Sequence, residues 1–167
     1  GIEEIGLDYN FTLASGTMGP DGHISKGGEA FGVVDTPEYR AMNPNGTAPT
    51  IDDDGFTLWE SNVIVRYLSM KYAAEKMYGN DIQAFASASR WMDWEQSKFL
   101  PEQHILVMNL VRLPPEERNP DEVEEARVSL LTPLGIIEEQ LSRTEYIAAN
   151  HFTMGDIPIG MRVHRWF

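Results

Sequence analysis

The chain has 167 residues, of which 42% are hydrophobic, and a formal net charge of −13 at pH 7, so it is long enough to bury a core as one or two domains. The negative charge repels phosphate backbones and anionic lipid, and no apolar stretch approaches the roughly 20 residues that span a bilayer, so we expect no nucleic-acid or membrane partner and a cytoplasmic location. The chain has no cysteine, which excludes disulfides, thiolate metal sites and a cysteine nucleophile within these residues.

The N-terminal residues predict a helix end, a strand and a loop, in that order. Ile2–Ile5 followed by Gly6 is typical of a last helical turn with a glycine C-cap. Residues 7–13 alternate apolar and polar side chains, which predicts a half-buried strand. Residues 14–32 hold six glycines and a proline, which predicts a mobile loop that is either an insertion or a functional lid.

A short helix and a hairpin follow. Thr36 is a predicted N-cap with a proline at the first helical position. That helix should end at Asn43, because the residue before a proline avoids the helical region. Residues 50–52 and 56–59 are predicted strands, and the Asp-Gly pair between them is a strong hairpin signal.

From Ser61 onward the hydrophobic period is helical. The first helix is predicted to bury a wholly apolar stripe, formed by Val63, Ile64, Tyr67, Leu68 and Tyr72. After a linker at residues 77–81 we predict four helices, which begin near Ile82, Glu102, Pro120 and Thr153. Pro114 should end the second of these helices, and Pro133 should kink the third.

The segment around Thr153 is predicted to start the last helix by capping. The Thr153 hydroxyl can cap the first turn, while Asp156, three residues on, reaches back to the Thr153 amide. Phe152 and Ile157 occupy the hydrophobic-staple positions on either side. Because capping accounts for Asp156, we predict a structural and not a catalytic role for it.

Two short motifs each allow a structural and a functional interpretation. In Thr47-Ala48-Pro49, a trans proline would simply start the next strand, whereas a cis bond would turn the Ala48 N–H and C=O outward, where an extended peptide could pair with them. Glu60-Ser61 could be a helix cap. Alternatively, the Ser61 hydroxyl and free helical amides could hold a carboxylate while Glu60 receives an ammonium group. A ligand carrying both groups on one carbon, as an amino acid does, would suit that pair.

No metal site is predicted from the acidic and histidine residues. The three aspartates at residues 52–54 precede a glycine, which is more typical of a solvated turn than of a cation site. The four histidines lie far apart in the sequence without the spacing of metal ligands.

Two segments carry a resemblance to a known family. NPNGTAPTIDDDGFTLWESNVIVRYL, at residues 43–68, resembles the second half of the thioredoxin-like domain of glutathione transferases. YIAANHFTMGDIPIG, at residues 146–160, resembles the capping segment of the all-helical domain of the same family. The resemblance covers the chain except for residues 14–32, which match poorly.

The resemblance implies two domains, both expected to be incomplete here. The first is an α/β thioredoxin-like, glutathione-binding domain at residues 1–76 without its first strand, followed by the linker at residues 77–81. The second is an all-α helical-bundle domain at residues 82–167, which stops in mid-helix by its pattern. The residue that activates the sulfur in this family lies upstream of the residues present. The resemblance therefore assigns no catalytic residue. It also does not decide whether these 167 residues alone are active.

The function that the resemblance implies is conjugation of the glutathione thiolate to a small hydrophobic electrophile. Glutathione would be the co-substrate, and the protein a cytoplasmic homodimer that acts in detoxification. The backbone at Ala48 and Pro49 would pair with the cysteinyl part of glutathione, and Glu60 and Ser61 would bind its γ-glutamyl end. Many members carry a Lys or Gln where this chain has Thr47, so the contact with the glycyl carboxylate is expected to be weaker.

Two alternatives remain open at this level. The first is a non-catalytic protein-interaction module of the glutathione-transferase type, which the acidic, lysine-poor region around the predicted clamp favours. The second is a glutathione-dependent reductase or isomerase. Binding of glutathione by the complete protein separates the interaction module from the transferase.

Overall fold

The computed structural model describes residues 2–12 and 32–166. The described chain forms two compact units, Ile2–Leu68 and a second unit from Ser69 onward. Its elements, in order, are α1 (Ile2–Ile5), a 3-10 turn (Gly32–Asp35), α2 (Pro37–Met42), β1 (Thr50–Asp53), β2 (Phe56–Trp59), α3 (Ser61–Tyr72), α4 (Ala74–Tyr78), α5 (Ile82–Lys98), α6 (Leu100–Val107), a π-helical turn (Met108–Arg112), a 3-10 turn (Pro115–Glu117), α7 (Pro120–Leu141) and α8 (Asp156–His164). None of the helices in the described part is long and apolar enough to cross a membrane.

Helix α2 begins and ends where its sequence predicts. The Thr36 hydroxyl accepts a hydrogen bond from the Tyr39 amide at 3.2 Å, which satisfies a donor of the first turn. Asn43 is the C-cap, and its extended backbone, with ψ at 101°, leaves the helical region just before the proline. Both the predicted start and the predicted stop are confirmed.

The hairpin is also confirmed, with its first strand one residue longer than predicted. β1 and β2 pair antiparallel, with Thr50 opposite Trp59 at the base and Asp53 opposite Phe56 at the tip. The two turn residues, Asp54 and Gly55, have φ of 54° and 88°. Positive φ at both positions is the condition for the tight turn that matches the twist of paired strands.

The strand predicted at residues 7–13 is wrong for the residues that the structure describes. Residues 7–12 have no regular secondary structure, and the Tyr9 and Phe11 side chains are 49% and 76% exposed. Alternation alone does not make a strand, because a strand also needs a neighbour for its backbone hydrogen bonds. Within the described residues, β1 and β2 pair only with each other. The loop predicted at residues 14–32 lies outside the described residues except at Gly32.

The buried side of α3 differs from the predicted apolar stripe. Ile64 and Leu68 are buried as predicted, but Val63 and Tyr72 are 41% and 42% exposed. Asn62, by contrast, is only 4% exposed. Fewer apolar residues of α3 are buried than predicted, and the buried face of the helix also includes polar side chains.

The second unit is helical, and its core lies among α5, α7, α8 and the segment that precedes α8. A cluster of large buried side chains fills this core, namely Trp91, Phe99, Leu130, Ile137, Ile147 and Ile159. Helix α7 continues through Pro133, which is itself buried. The residues predicted as a linker begin inside α4, where Met77 is 1% exposed, and Gly79, with φ of 64°, ends that helix.

A buried polar network, for which the sequence has no local signal, joins α5, α6 and α8. Arg162 on α8 forms an ion pair with Glu95 on α5, whose side chain is 1% exposed. Gln103 on α6 donates to the Arg162 carbonyl at 2.8 Å and accepts from its guanidinium at 3.3 Å. Paired partners offset the cost of removing these groups from water.

The start of α8 confirms the predicted capping interaction but moves the helix boundary. Asp156 accepts a hydrogen bond from the Thr153 amide at 2.8 Å, as the capping motif requires. The helix itself begins at Asp156 and not at Thr153, since residues 153–155 form a turn closed by the Asp156 amide and the Thr153 carbonyl. The other oxygen of Asp156 accepts from the Ile147 amide at 2.8 Å, a contact with no signal in the sequence.

We expect Gly155→Ala to destabilise the second unit by about 1–3 kcal/mol, the usual cost of overpacking. A Cβ at Gly155 would lie 2.9 Å from the Ala88 carbonyl oxygen and 3.1 Å from its Cα, so the backbone of α5 would have to shift. Gly160→Ala in the same helix is the matched control, because nothing lies within 4 Å of its added Cβ. It should instead stabilise by about 0.5–1 kcal/mol. Urea melts that gave both variants the same sign would contradict this packing.

Candidate functional site

The turn before β1 exposes one short stretch of backbone. The Ala48–Pro49 peptide bond is cis, which is the alternative that turns the Ala48 backbone outward, and Thr47, Ala48 and Pro49 are all exposed. Within the described part of the chain, no hydrogen bond occupies the Ala48 N–H or C=O. An exposed backbone donor and acceptor of this kind can pair with an extended peptide, as a strand edge does.

Two buried side chains hold this turn from inside. The Tyr39 hydroxyl donates to the Thr47 carbonyl at 2.8 Å and also lies 2.8 Å from the Thr50 hydroxyl. The Asn43 amide donates to the same Thr47 carbonyl at 2.7 Å. Tyr39 and Asn43 are 7% and 1% exposed. The sequence predicts Asn43 only as the end of a helix and gives no signal for Tyr39, because periodicity does not show where a polar side chain points.

The start of α3 has a second exposed pair of polar groups. The Glu60 carbonyl accepts the first helical hydrogen bond, from the Ile64 amide at 2.9 Å, so Glu60 is the residue just before the helix and Ser61 lies in its first turn. Both side chains are exposed. In the described residues neither side chain has a hydrogen bond, so the Ser61 hydroxyl caps nothing there.

Glu60 has a backbone conformation that is costly for its residue type. Its φ is 73°, in the left-handed region that non-glycine residues rarely adopt. Such conformations cost of order 1–3 kcal/mol and cluster at ligand-binding sites. The sequence carries no signal for this strain, which sets the direction of the Glu60 Cα–Cβ bond.

The hairpin register brings the two motifs together. Pro49 directly precedes Thr50, Glu60 directly follows Trp59, and these two strand residues are paired opposite each other. Opposed residues of an antiparallel pair have Cα atoms about 4.5–5.5 Å apart. The exposed turn and the helix start therefore lie side by side at the base of the hairpin.

The chemistry of this base suits a zwitterionic peptide ligand. The first amides of a helix have no acceptor within the helix and carry a partial positive charge, so with the Ser61 hydroxyl they can bind a carboxylate. Glu60 offers a negative charge for an ammonium group. The Ala48 backbone offers one donor and one acceptor to an adjacent peptide unit.

The acidic turn has a structural role instead. The Asp52 carboxylate accepts from the Gly55 amide at 3.1 Å, and Asp53 accepts from the Tyr67 hydroxyl at 2.7 Å. These contacts stabilise the tip of the hairpin. Among the residues described, no three acidic, histidine or cysteine side chains gather as a metal site would require.

Comparisons with known proteins point to one family. The model of a family described as the N-terminal domain of glutathione S-transferase matches residues 2–70. Glutathione S-transferase GstB of Escherichia coli K12 is 30% identical over 168 residues, covering 99% of this chain and 74% of the relative. Glutathione S-transferase 3 of Zea mays is 35% identical over 131 residues, covering 75% of this chain and 58% of the relative.

A solved structure is similar along almost the whole chain. The theta class glutathione S-transferase of Xanthomonas axonopodis pv. citri, with glutathione bound, superposes with a TM-score of 0.85 at 37% identity. The match covers 99% of this chain and 73% of that one. This similarity confirms the predicted fold class, a thioredoxin-like α/β domain followed by an all-helical domain.

Proposed function

The chain belongs to the glutathione S-transferase family, and on that premise we propose that it transfers glutathione to an electrophilic small molecule. The observation that carries the proposal is the hairpin register. It sets an exposed backbone donor and acceptor beside a helix start with an unoccupied hydroxyl and a carboxylate. Glutathione has a peptide backbone and, at its γ-glutamyl end, an α-amino and an α-carboxylate group, which complement these two motifs.

In the proposed binding mode the two motifs divide the peptide between them. Ala48, with Pro49 fixing the turn, pairs with the cysteinyl backbone, and the Ser61 hydroxyl and first-turn amides bind the γ-glutamyl carboxylate. Glu60 receives the ammonium group. By the family resemblance Thr47 takes the position that meets the glycyl end, and its short neutral hydroxyl makes that contact weaker than a lysine would.

The chemical step is nucleophilic attack by sulfur. The thiolate of glutathione forms a carbon–sulfur bond with the electrophile, and the displaced electron pair leaves with a leaving group or is protonated after addition. A hydrogen bond to the charged form of the sulfur lowers the thiol pKa and raises the thiolate fraction at neutral pH. The proposal assigns that hydrogen bond to no residue of this chain and therefore includes no catalytic residue.

Family membership supports further parts of the proposal. We propose a small hydrophobic electrophile as second substrate, a homodimer as the assembly, and a cytoplasmic role in detoxification. The domain limits at residues 1–76 and 82–167 are likewise proposals. The rival proposal is a non-catalytic interaction module. One observation favours it, namely Thr47 at a position where many members carry a lysine or glutamine.

Two substitutions at the helix start test the transferase proposal. Ser61→Ala should weaken glutathione binding by roughly 1–3 kcal/mol, the usual effect of losing a hydrogen bond to a charged group. Glu60→Gln should also weaken it, because the side chain keeps its shape and loses the charge that faces the ammonium group. Calorimetric titration of the full-length protein with glutathione measures both effects.

Matched controls come from exposed residues of the same types. Ser97→Ala and Glu124→Gln alter exposed side chains of the helical unit and should bind glutathione as wild type does. If wild type shows no binding at millimolar glutathione, the interaction module replaces the transferase. If wild type binds and both Ser61→Ala and Glu60→Gln bind equally well, the peptide is held elsewhere.

A further inference from the structure

We propose that Tyr39 and Asn43 are positioning residues for glutathione, acting through the turn that presents the Ala48 backbone. This inference rests on the proposed function, because it concerns how that site is held in shape. Neither residue is a proposed ligand contact, since both side chains are buried beneath the turn, at 7% and 1% exposure.

Both residues act on the turn through the Thr47 carbonyl. It accepts two hydrogen bonds from inside the unit, one from the Tyr39 hydroxyl at 2.8 Å and one from the Asn43 amide at 2.7 Å. A carbonyl oxygen has two lone pairs, so these two donors can fill both of them. The carbonyl is therefore fixed in direction, toward the buried side of the turn.

The direction of that carbonyl also sets the direction of the Ala48 amide. The Thr47 C=O and the Ala48 N–H belong to one planar peptide unit, and in a trans unit they point in opposite directions. Because the carbonyl is held inward, the Ala48 N–H must point outward, where Ala48 is exposed. The donor proposed to meet the cysteinyl backbone is thus aimed before any ligand arrives, which lowers the cost of ordering on binding.

The same two side chains also hold the far end of the turn. The Thr50 hydroxyl lies 2.8 Å from the Tyr39 hydroxyl and 3.2 Å from the Asn43 amide nitrogen. Asn43 is itself fixed, because its side-chain oxygen accepts from the Asn45 backbone amide at 3.1 Å. Tyr39 and Asn43 therefore hold the residues on both sides of Ala48-Pro49 relative to α2.

Tyr39→Phe is the sharpest test, since it removes one hydroxyl and keeps the buried ring. The Thr47 carbonyl keeps its bond to Asn43, so the turn should fold but lose rigidity. We expect the Kd for glutathione, measured by calorimetric titration of the full-length protein, to rise about 5- to 10-fold, the equivalent of one hydrogen bond.

Two further arms separate positioning from a general loss of stability. Gly155→Ala, which should destabilise the helical unit, should leave the Kd unchanged. In the Tyr39→Phe background, Ser61→Ala should weaken binding further, because the Ser61 hydroxyl and the Ala48 amide are proposed to bind different groups of glutathione.

The outcomes distinguish this inference from the proposed function. If wild type binds glutathione and Tyr39→Phe binds equally well, the positioning role is wrong and the proposed function stands. If Gly155→Ala weakens binding as much as Tyr39→Phe does, the effect follows stability and the positioning role is again wrong. If wild type does not bind millimolar glutathione, the proposed function fails and this inference fails with it.

Discussion

Arg162→Ala should destabilise the helical unit by about 3–5 kcal/mol, the usual cost of breaking a buried ion pair from one side. The reason is that Glu95 stays buried in the variant. The Glu95 side chain is 1% exposed, so loss of Arg162 removes a positively charged partner from a carboxylate that stays in the interior. Gln103 would also lose the guanidinium that it accepts from. Denaturant unfolding followed by tryptophan fluorescence measures the effect.

Two controls make this expectation specific to burial. Arg127→Ala breaks a pair with Glu124 that lies in solvent, with side chains 47% and 61% exposed, and should leave the unfolding midpoint nearly unchanged. Glu95→Leu combined with Arg162→Met removes both charges and should recover most of the lost stability. If the double variant is no more stable than Arg162→Ala, the effect comes from lost packing and not from the loss of the ion pair with Glu95.

Asp156→Ala should destabilise the same unit by about 3–4 kcal/mol, more than the loss of an ordinary helix cap. Three donors converge on this carboxylate, namely the Ile147 amide at 2.8 Å, the Thr153 amide at 2.8 Å and the Thr153 hydroxyl at 2.7 Å. Alanine would leave all three without this acceptor. Ile147 and Thr153 are each 1% exposed, so water cannot easily replace it.

Thr153→Ala is the graded comparison for Asp156→Ala. It removes the hydroxyl but leaves both amide bonds to Asp156, and we expect a loss of about 1–2 kcal/mol. Asp156→Asn keeps one acceptor oxygen and should fall between the two. Equal unfolding midpoints for Asp156→Ala and Thr153→Ala would show that the two amide bonds to Asp156, from Ile147 and Thr153, contribute nothing. Neither variant should change glutathione affinity in the folded protein.

Local sequence signals predict the structure correctly where an element is completed by contacts within a few residues. The Thr36 cap, the Asp54-Gly55 turn and the Thr153-Asp156 contact each join residues at most three apart, so type and spacing contain the information. The strand predicted at residues 7–13 failed because alternation does not reveal whether a neighbouring strand exists.

The candidate site divides in the same way. The five proposed binding residues came from two short motifs and the family resemblance, and the paired ends of the hairpin place those motifs side by side. The buried contacts that hold these motifs in place could not be predicted from the sequence. The Tyr39 and Asn43 contacts depend on side-chain direction, and the bond between Glu95 and Arg162 spans 67 positions in the chain. Burial and long-range partners are decided by packing, which the periodicity of one chain does not specify.

The hairpin has one more consequence, for attaching foreign sequence to this protein. Its base lies at Thr50 and Trp59, and the last strand pair, Asp53 and Phe56, lies three residues further along each strand, or about 10 Å, with the Asp54-Gly55 turn beyond it. The two turn residues, Asp54 and Gly55, are exposed. A peptide tag or a fluorescent label grafted between Asp54 and Gly55 would project into solvent, while the strand pairing below it keeps the base of the hairpin, and the motifs that flank it, in register.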